Sequence, residues 1–303
     1  MEPEVTLAMA AWSVEPHWFL EAVRSALAQR DCSLELVVVD DGSPEPIARL
    51  LAEVDDPRLR VVRIEHGGTA AARNAGIAHA RGRFLRFLDA DDVLEPGSTA
   101  RLRRLIGNRD DVVAYGATVV CDESLRPTRT ISSTLEGDVV APCLLGRFDV
   151  RHVSMLFPRR IVDLAGPWVG GYQISEDWDF VLRALEHATV RSDTHPATYY
   201  RRHGGSRTGA ANVAAGEDDR RRVVSRFFER HPEQRGTRLE RRALAVELRR
   251  SERTPLDRGL AYASVGEHRL AAVRLLRASR LAPLRTGALT MRLLARSLRR
   301  SVR

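Results

Sequence analysis

The sequence predicts an α/β fold, a Rossmann-like and mostly parallel sheet with flanking helices, followed by an α-helical C-terminal appendage. Three observations predict it. Strand-like and helix-like segments alternate through the first 115 residues, the order that a sheet wound by crossover helices requires. Two apolar runs, Leu36-Val37-Val38-Val39 and Phe84-Leu85-Arg86-Phe87-Leu88, stop at carboxylates, Asp40-Asp41 and Asp89-Ala90-Asp91-Asp92. A buried parallel strand that ends in acid opens on a crevice at the carboxyl edge of its sheet. The charge balance then changes sign. Residues 1–206 hold 24 Arg against 30 Asp and Glu, and residues 207–303 hold 24 Arg against 10, so a balance of −6 and one of +14 give the net +8. The division predicted is a first domain over 1–208 and an Arg-rich helical region over 209–303.

The elements follow in order. Residues 5–11 read as a strand, and 16–29 place Phe19, Val23, Ala26 and Leu27 at helical spacing. A strand over 34–39 ends in the turn signal Asp41-Gly42-Ser43-Pro44. A helix over 47–54, a strand over 59–64 and an Ala-rich helix over 69–80 lead to a strand over 84–88. A helix over 98–106 and a strand over 112–115 complete the alternation, and from about 117 to 165 the pattern loosens. The Gly-rich, aromatic stretch 168–174 precedes Glu176-Asp177-Trp178-Asp179-Phe180 and a helix through Glu186. Residues 190–200 read as a final strand pair. Beyond it, 216–253 read as one Arg/Glu-rich helix, 255–282 as a helical hairpin, and 287–303 as a helix with Met291, Leu294, Leu298 and Val302 on one face and Arg292, Arg296, Arg299 and Arg303 on another.

Composition excludes several chemistries. There is no lysine, hence no P-loop or Schiff-base lysine. Cys32, Cys121 and Cys143 are few and widely spaced, which suggests neither a disulfide frame nor a zinc site and fits a reducing cytoplasm. No run reaches 18 apolar residues, and the first residues lack the basic stretch of a signal peptide. No Gly-x-Gly-x-x-Gly follows the first strand, so a dinucleotide dehydrogenase is unsupported. The expected location is the cytoplasm, either free or peripheral on the inner face of the membrane. Five carboxylates at two adjacent strand ends are costly without a cation, which points to a divalent metal and a phosphorylated ligand.

Six motifs come in order: residues 5–13, Val38-Val39-Asp40-Asp41-Gly42-Ser43, Gly67-Gly68-Thr69-Ala70-Ala71-Ala72-Arg73-Asn74-Ala75-Gly76, Phe87-Leu88-Asp89-Ala90-Asp91-Asp92, Glu176-Asp177-Trp178-Asp179-Phe180, and Tyr200-Arg201-Arg202-His203-Gly204-Gly205-Ser206. Together, over roughly residues 4–208, they resemble the family 2 glycosyltransferases, whose catalytic domain has the nucleotide-sugar-binding GT-A fold. The resemblance implies a role for each motif. At the end of the first strand, Ala11 and Trp12 stand where the family often carries Tyr-Asn against the base. Asp41 matches the carboxylate that accepts from the base, which favours uracil or thymine. Arg73 and Asn74 face the nucleotide or its diphosphate. Asp89-Ala90-Asp91 resembles the DxD motif, with Asp91 the direct ligand of Mg²⁺ or Mn²⁺ and Asp89 acting nearby, through water or on the ribose. His203 completes the metal or diphosphate site. Glu176-Asp177 resembles the ED motif, with Asp177 the base that deprotonates the acceptor hydroxyl in an inverting transfer, its pKa expected to rise from burial near other carboxylates. Trp178 floors the acceptor site beside Glu176.

The residues alone also allow structural roles: an Asx turn at Asp40 or Asp41, a solvated Arg73, a helix N-cap at Asp177, and core positions for Trp12 and Trp178. The Gln-x-x-Arg-Trp motif of the processive members is absent, which implies a non-processive enzyme. The expected partners are a UDP- or dTDP-sugar donor and a glycan, cell-wall or lipid-linked acceptor, with no nucleic acid. The basic tail reads either as a helical appendage packed on the catalytic domain or as an amphipathic anchor for an anionic membrane surface. The competing classes are a catalytically inactive glycosyltransferase-like scaffold and a sugar-nucleotide nucleotidyltransferase.

Overall fold

The computed structural model describes residues 2–149, 151–205 and 213–251. The chain divides into two compact units, one of Met1–Cys143 with Arg147–Gly209 and one of Leu144–Gly146 with Ala210–Arg303.

The first unit opens with β1 (Val5–Ala11), α1 (Pro16–Leu27) and β2 (Leu34–Asp41). It continues with β3 (Leu59–Ile64), α2 (Thr69–His79), β4 (Phe84–Asp89), the two-residue β5 (Val93–Leu94) and α3 (Ser98–Ile106). Next come β6 (Val112–Cys121), β7 (Pro127–Ile131), the short α4 (Val140–Leu144), β8 (Met155–Pro158) and α5 (Arg159–Ala165). It closes with α6 (Glu176–Leu185) and β9 (Thr189–Arg201). The strands run in the order β3-β2-β1-β4-β8-β6-β9-β5, with β7 on β6.

Four strands, β3-β2-β1-β4, are parallel. β1 lies between β2 and β4 and is buried over nearly its whole length, so both faces are covered across β1, β2 and β4, whose sequences are near-continuous apolar runs, whereas β3, at the edge, alternates and buries no residue fully. β8 then enters antiparallel between β4 and β6, and the sheet beyond it is mixed. Register fixes the carboxyl edge. Ala11 of β1 stands opposite Asp40, and Ala10 stands opposite Asp89. Two acid-bearing strand ends therefore meet across β1.

Three elements differ from expectation. The segment after β2 is a 3₁₀ turn over Ile47–Arg49, carried on by i→i+3 bonds through Ala52. β6 runs to Cys121 because β9 pairs along its whole length, with register shifts between Tyr115 and Thr118 of the kind that bend a strand and increase its local twist. β9 is one long strand where a pair was expected.

Arg86 sits inside the apolar run of β4 and is fully buried. It has no ion-pair partner among the described residues. Its guanidinium donates instead to the Ser98, Thr99 and Thr198 hydroxyls and to the Val153 and Ala197 carbonyls. Burial, with Arg101 nearby, pulls its pKa down to about 9, which still leaves it charged at neutral pH. One arginine thus ties α3, β9 and the turn before β8 to β4.

In the second unit α7 (Val213–Arg230) packs on α8 (Arg238–Ser251), with Phe227 and Phe228 buried edge to face. The single helix expected over 216–253 is broken by the Pro232–Gln234 turn. Pro232 disfavours helix at His231, and Gly236 takes a positive φ of 71°. The hairpin expected over 255–282 and the helix over 287–303 lie outside the described residues.

Candidate active site

The carboxyl ends of β1, β2 and β4 face the start of α6 and the end of β9 across a crevice of about 730 Å³. It is lined by Ala11, Trp12, Asp41, Arg73, Asp89, Ala90, Asp91, Glu176, Asp177 and His203 among others. Ten of the twelve residues singled out in the sequence therefore share one cavity. Asn74 and Trp178 do not line it. Asn74 is held by the Trp168 backbone, donating to its carbonyl and accepting from its N–H. Trp178 directs its indole N–H to the Cys143 sulfur, 3.2 Å away.

At one end, Trp12 is 52% exposed and stacks on His66 at 4.9 Å between ring centroids. The adjacent acids divide their work. Asp40 makes the Asx turn: it accepts from the Ser43 and Ile47 N–H groups and pairs with Arg63 at 2.5 Å, and these contacts hold its pKa down against burial. Asp41 turns to the crevice and accepts from the Gly67 and Gly68 N–H groups at 2.8 and 2.9 Å. Gly42 has to be glycine, because its φ is +67° and a Cβ would lie 2.8 Å from the His66 nitrogen.

In the middle, Arg73 enters from α2 and is buried. It pairs with Asp89 at 2.7 Å and with Glu176 at 3.5 Å, over the Trp168 ring. It is thus a bracket between two acids. Burial raises the Asp89 pKa, but Arg73 and His152 outweigh it, and Asp89 is held far below the carboxylate range. Its neighbours go the other way. Burial and the charge of Asp89 raise Asp91 against the opposing His203. Asp92, fully buried, is raised well above its ordinary value by burial and by Asp91 and Asp89. Asp91 stands 37% exposed with His203 Nε2 3.0 Å from its carboxylate.

These residues fit a divalent cation in part. Crowding among Asp89, Asp91 and Asp92 is what a cation relieves, and Asp91 with His203 offers an oxygen and a nitrogen donor on the open side. Among the described residues no group of three His, Cys, Asp or Glu is arranged around a metal. Further ligands would have to come from the substrate or from water, as magnesium and manganese commonly take them.

At the far end, Glu176 and Asp177 form the first turn of α6, where a carboxylate is favoured by the helix N-terminus. Asp177 carries the chief correction. Its pKa was expected to rise. Burial does raise it, but His152, Arg151 and Arg73 more than reverse that, and it lies well below the usual carboxylate range. The imidazole of His152, buried, lies 3.7 Å from Asp177 and 3.6 Å from Asp89. At those separations the contacts are ion pairs rather than hydrogen bonds. Burial and Arg73 oppose charge on His152, yet the two flanking acids prevail and its pKa is raised. The sequence reading missed His152 and Arg151, since both fall in the stretch without periodicity and belong to no motif.

Residues 12–161 match the family described as glycosyl transferase family 2. The chain is 41% identical over 121 residues to the succinoglycan biosynthesis protein ExoO of Rhizobium meliloti, covering 40% of this chain and 33% of that protein. It is 30% identical over 217 residues to the putative glycosyltransferase EpsH of Bacillus subtilis, covering 66% of this chain and 61% of that one. It therefore spans less than two thirds of these relatives. Among solved structures, the crystal structure of S. aureus TarS 1-349 in complex with UDP-GlcNAc aligns with a TM-score of 0.63 at 15% identity, covering 91% of each chain. That likeness shows the fold, which is of the GT-A type.

Proposed function

The chain belongs to the family 2 glycosyltransferases, and on that premise we propose that its crevice transfers a sugar, with inversion, from a UDP- or dTDP-sugar to a hydroxyl of a glycan, cell-wall or lipid-linked acceptor. The observation that carries the proposal is the gathering of the stacking Trp12, the Asp89–Asp91 pair and Asp177 in one cavity from three separate stretches of chain. TarS, of the same fold, binds UDP-GlcNAc in its crystal structure, which supports a nucleotide-sugar donor.

The residues divide the work along the crevice. Trp12, already against His66, offers a face for the base, and Asp41 a carboxylate for a pyrimidine imide N–H. Asp91 and His203 would hold Mg²⁺ or Mn²⁺. When bound, the cation supplies charge to offset that of the departing nucleoside diphosphate. Asp89 is kept ionised by Arg73 and fixed in place. Asp177, ionised at neutral pH, takes the proton of the acceptor hydroxyl as that oxygen bonds to the anomeric carbon and the bond from that carbon to the diphosphate oxygen breaks. His152 and Arg151 hold Asp177 as a carboxylate before substrate arrives.

Asp177→Asn tests the assignment. It keeps the shape and removes the proton acceptor. Nucleotide diphosphate release from donor and acceptor should fall by about 10² to 10⁴, with nucleotide affinity unchanged. Turnover near wild type would remove Asp177 as the base.

The Arg-rich residues 207–303 supply the second part of the proposal, attachment to an anionic membrane surface, where a lipid-linked acceptor would be found. Among the described residues no helix is long and apolar enough to cross a membrane.

A further inference from the structure

Among the described residues, the buried arginines Arg73, Arg86 and Arg201 spend their donors. Arg86 makes five hydrogen bonds. Arg201 bonds to the Asp91 and Glu123 carbonyls and pairs with Glu21. Among the described residues, two arginines line the crevice. Arg73 is committed to Asp89 and Glu176.

Arg151 is the exception. Its backbone is fixed, since its carbonyl accepts from the Ser154 N–H at 2.9 Å. Its guanidinium lies 5.9 Å from the Tyr200 ring centroid. The Nε is buried with no hydrogen-bond partner, and no ion pair forms to it among the described residues. Asp177, Asp149 and Asp92 reach it only through space. A guanidinium has five donors in a planar fork, and leaving them unused in a half-buried place is costly. A fork that faces a cavity unpaired is built for a planar or tetrahedral oxyanion.

Position decides whose oxyanion. The base-stacking end is at Trp12 and Asp41, and the diphosphate end at Asp91 and His203. Arg151 adjoins His152, which faces Asp177, so it stands beside the proposed base, where the acceptor hydroxyl has to be. We infer that Arg151 recognises an anionic group, a phosphate or a carboxylate, close to the reacting hydroxyl of the acceptor. The acceptor is then an anionic glycan or phosphate-bearing polyol rather than a neutral sugar. This rests on the glycosyltransferase reading of the crevice.

The test is a titration of the full chain, with and without saturating UDP and the diamagnetic Mg²⁺, at fixed ionic strength. The probes are glycerol 3-phosphate, glucuronate and, as neutral control, glycerol. The readout is the ¹⁵N-labelled Arg151 Nε–H resonance, identified by its loss in Arg151→Gln. A saturable shift with one or both charged probes and none with glycerol is expected, and the probe that acts names the anion. Arg151→Gln should weaken that probe by about tenfold or more and leave UDP affinity within about twofold. Arg151→Lys, which keeps the charge but not the fork, should weaken it less and serves where the Gln variant does not fold. No shift with either charged probe would overturn the inference. So would a tenfold loss of UDP affinity in Arg151→Gln, which would assign the arginine to the donor. A wild-type chain that binds the anion but no nucleotide would keep the anion site and remove the acceptor assignment with the proposed function.

Discussion

His152 sits between two carboxylates that the proposed mechanism uses differently. Its pKa is raised in the folded chain from an ordinary 6.5. A group that holds its proton more tightly when folded adds stability that is fully present below its unfolded value and is lost as pH rises through the folded one. Asp89 and Asp177 are depressed, so their contribution is present above the ordinary carboxylate range and lost as pH falls through their lowered values. The wild type should therefore lose stability through this imidazole as pH rises above its ordinary 6.5, read at one pH below that value and one above it. His152→Gln should flatten that slope in urea denaturation at the two pH values. An equal slope in the variant would show that His152 is not the titrating group. At this scale the sequence was legible where a residue stood in a motif: Asp41, Asp89, Asp91, Asp177 and His203 all reach the crevice. It was not legible for His152 and Arg151, because what marks them is proximity in space to Asp177, and neither periodicity nor spacing carries that. The residues alone left open which of Asp40 and Asp41 would make the turn; the resemblance pointed Asp41 to the site, and Asp40 takes the turn.

Among the elements, the parallel strands were readable because burial on both faces leaves apolar runs that end sharply. The mixed half was harder. β8 is four residues long, too short to show a period, and it is held between β4 and β6 by long-range pairing. The break between α7 and α8 was missed despite Pro232, because the Arg/Glu pattern continues on both sides of it. Arg86 looks like an anomaly within an apolar strand, yet it is the tie between β4, α3 and β9. Arg86→Leu removes the donor to three hydroxyls and two carbonyls that stay buried. It should cost about 3 kcal/mol or more, read as a lower urea midpoint at unchanged slope. A loss below about 1 kcal/mol would mean that these groups find other partners and that the tie is dispensable.

On the scale of the whole molecule, two units of opposite charge share one chain, and the acidic one carries the crevice. The basic one suits an anionic surface, so deletion of 286–303 should release the chain from anionic liposomes in a sedimentation assay. A full chain that never sediments with them would end the membrane proposal and leave the crevice reading untouched. The central claim concerns that crevice: a nucleotide-sugar site in which Trp12 and Asp41 take the base while Asp91 and His203 meet a cation and the diphosphate. Calorimetric titration of the chain with UDP, dTDP, GDP and CDP, each with and without Mn²⁺, tests it most directly. The account predicts binding of UDP or dTDP, tighter with the metal and weaker for GDP and CDP. Absence of binding by any of the four under either condition would contradict it.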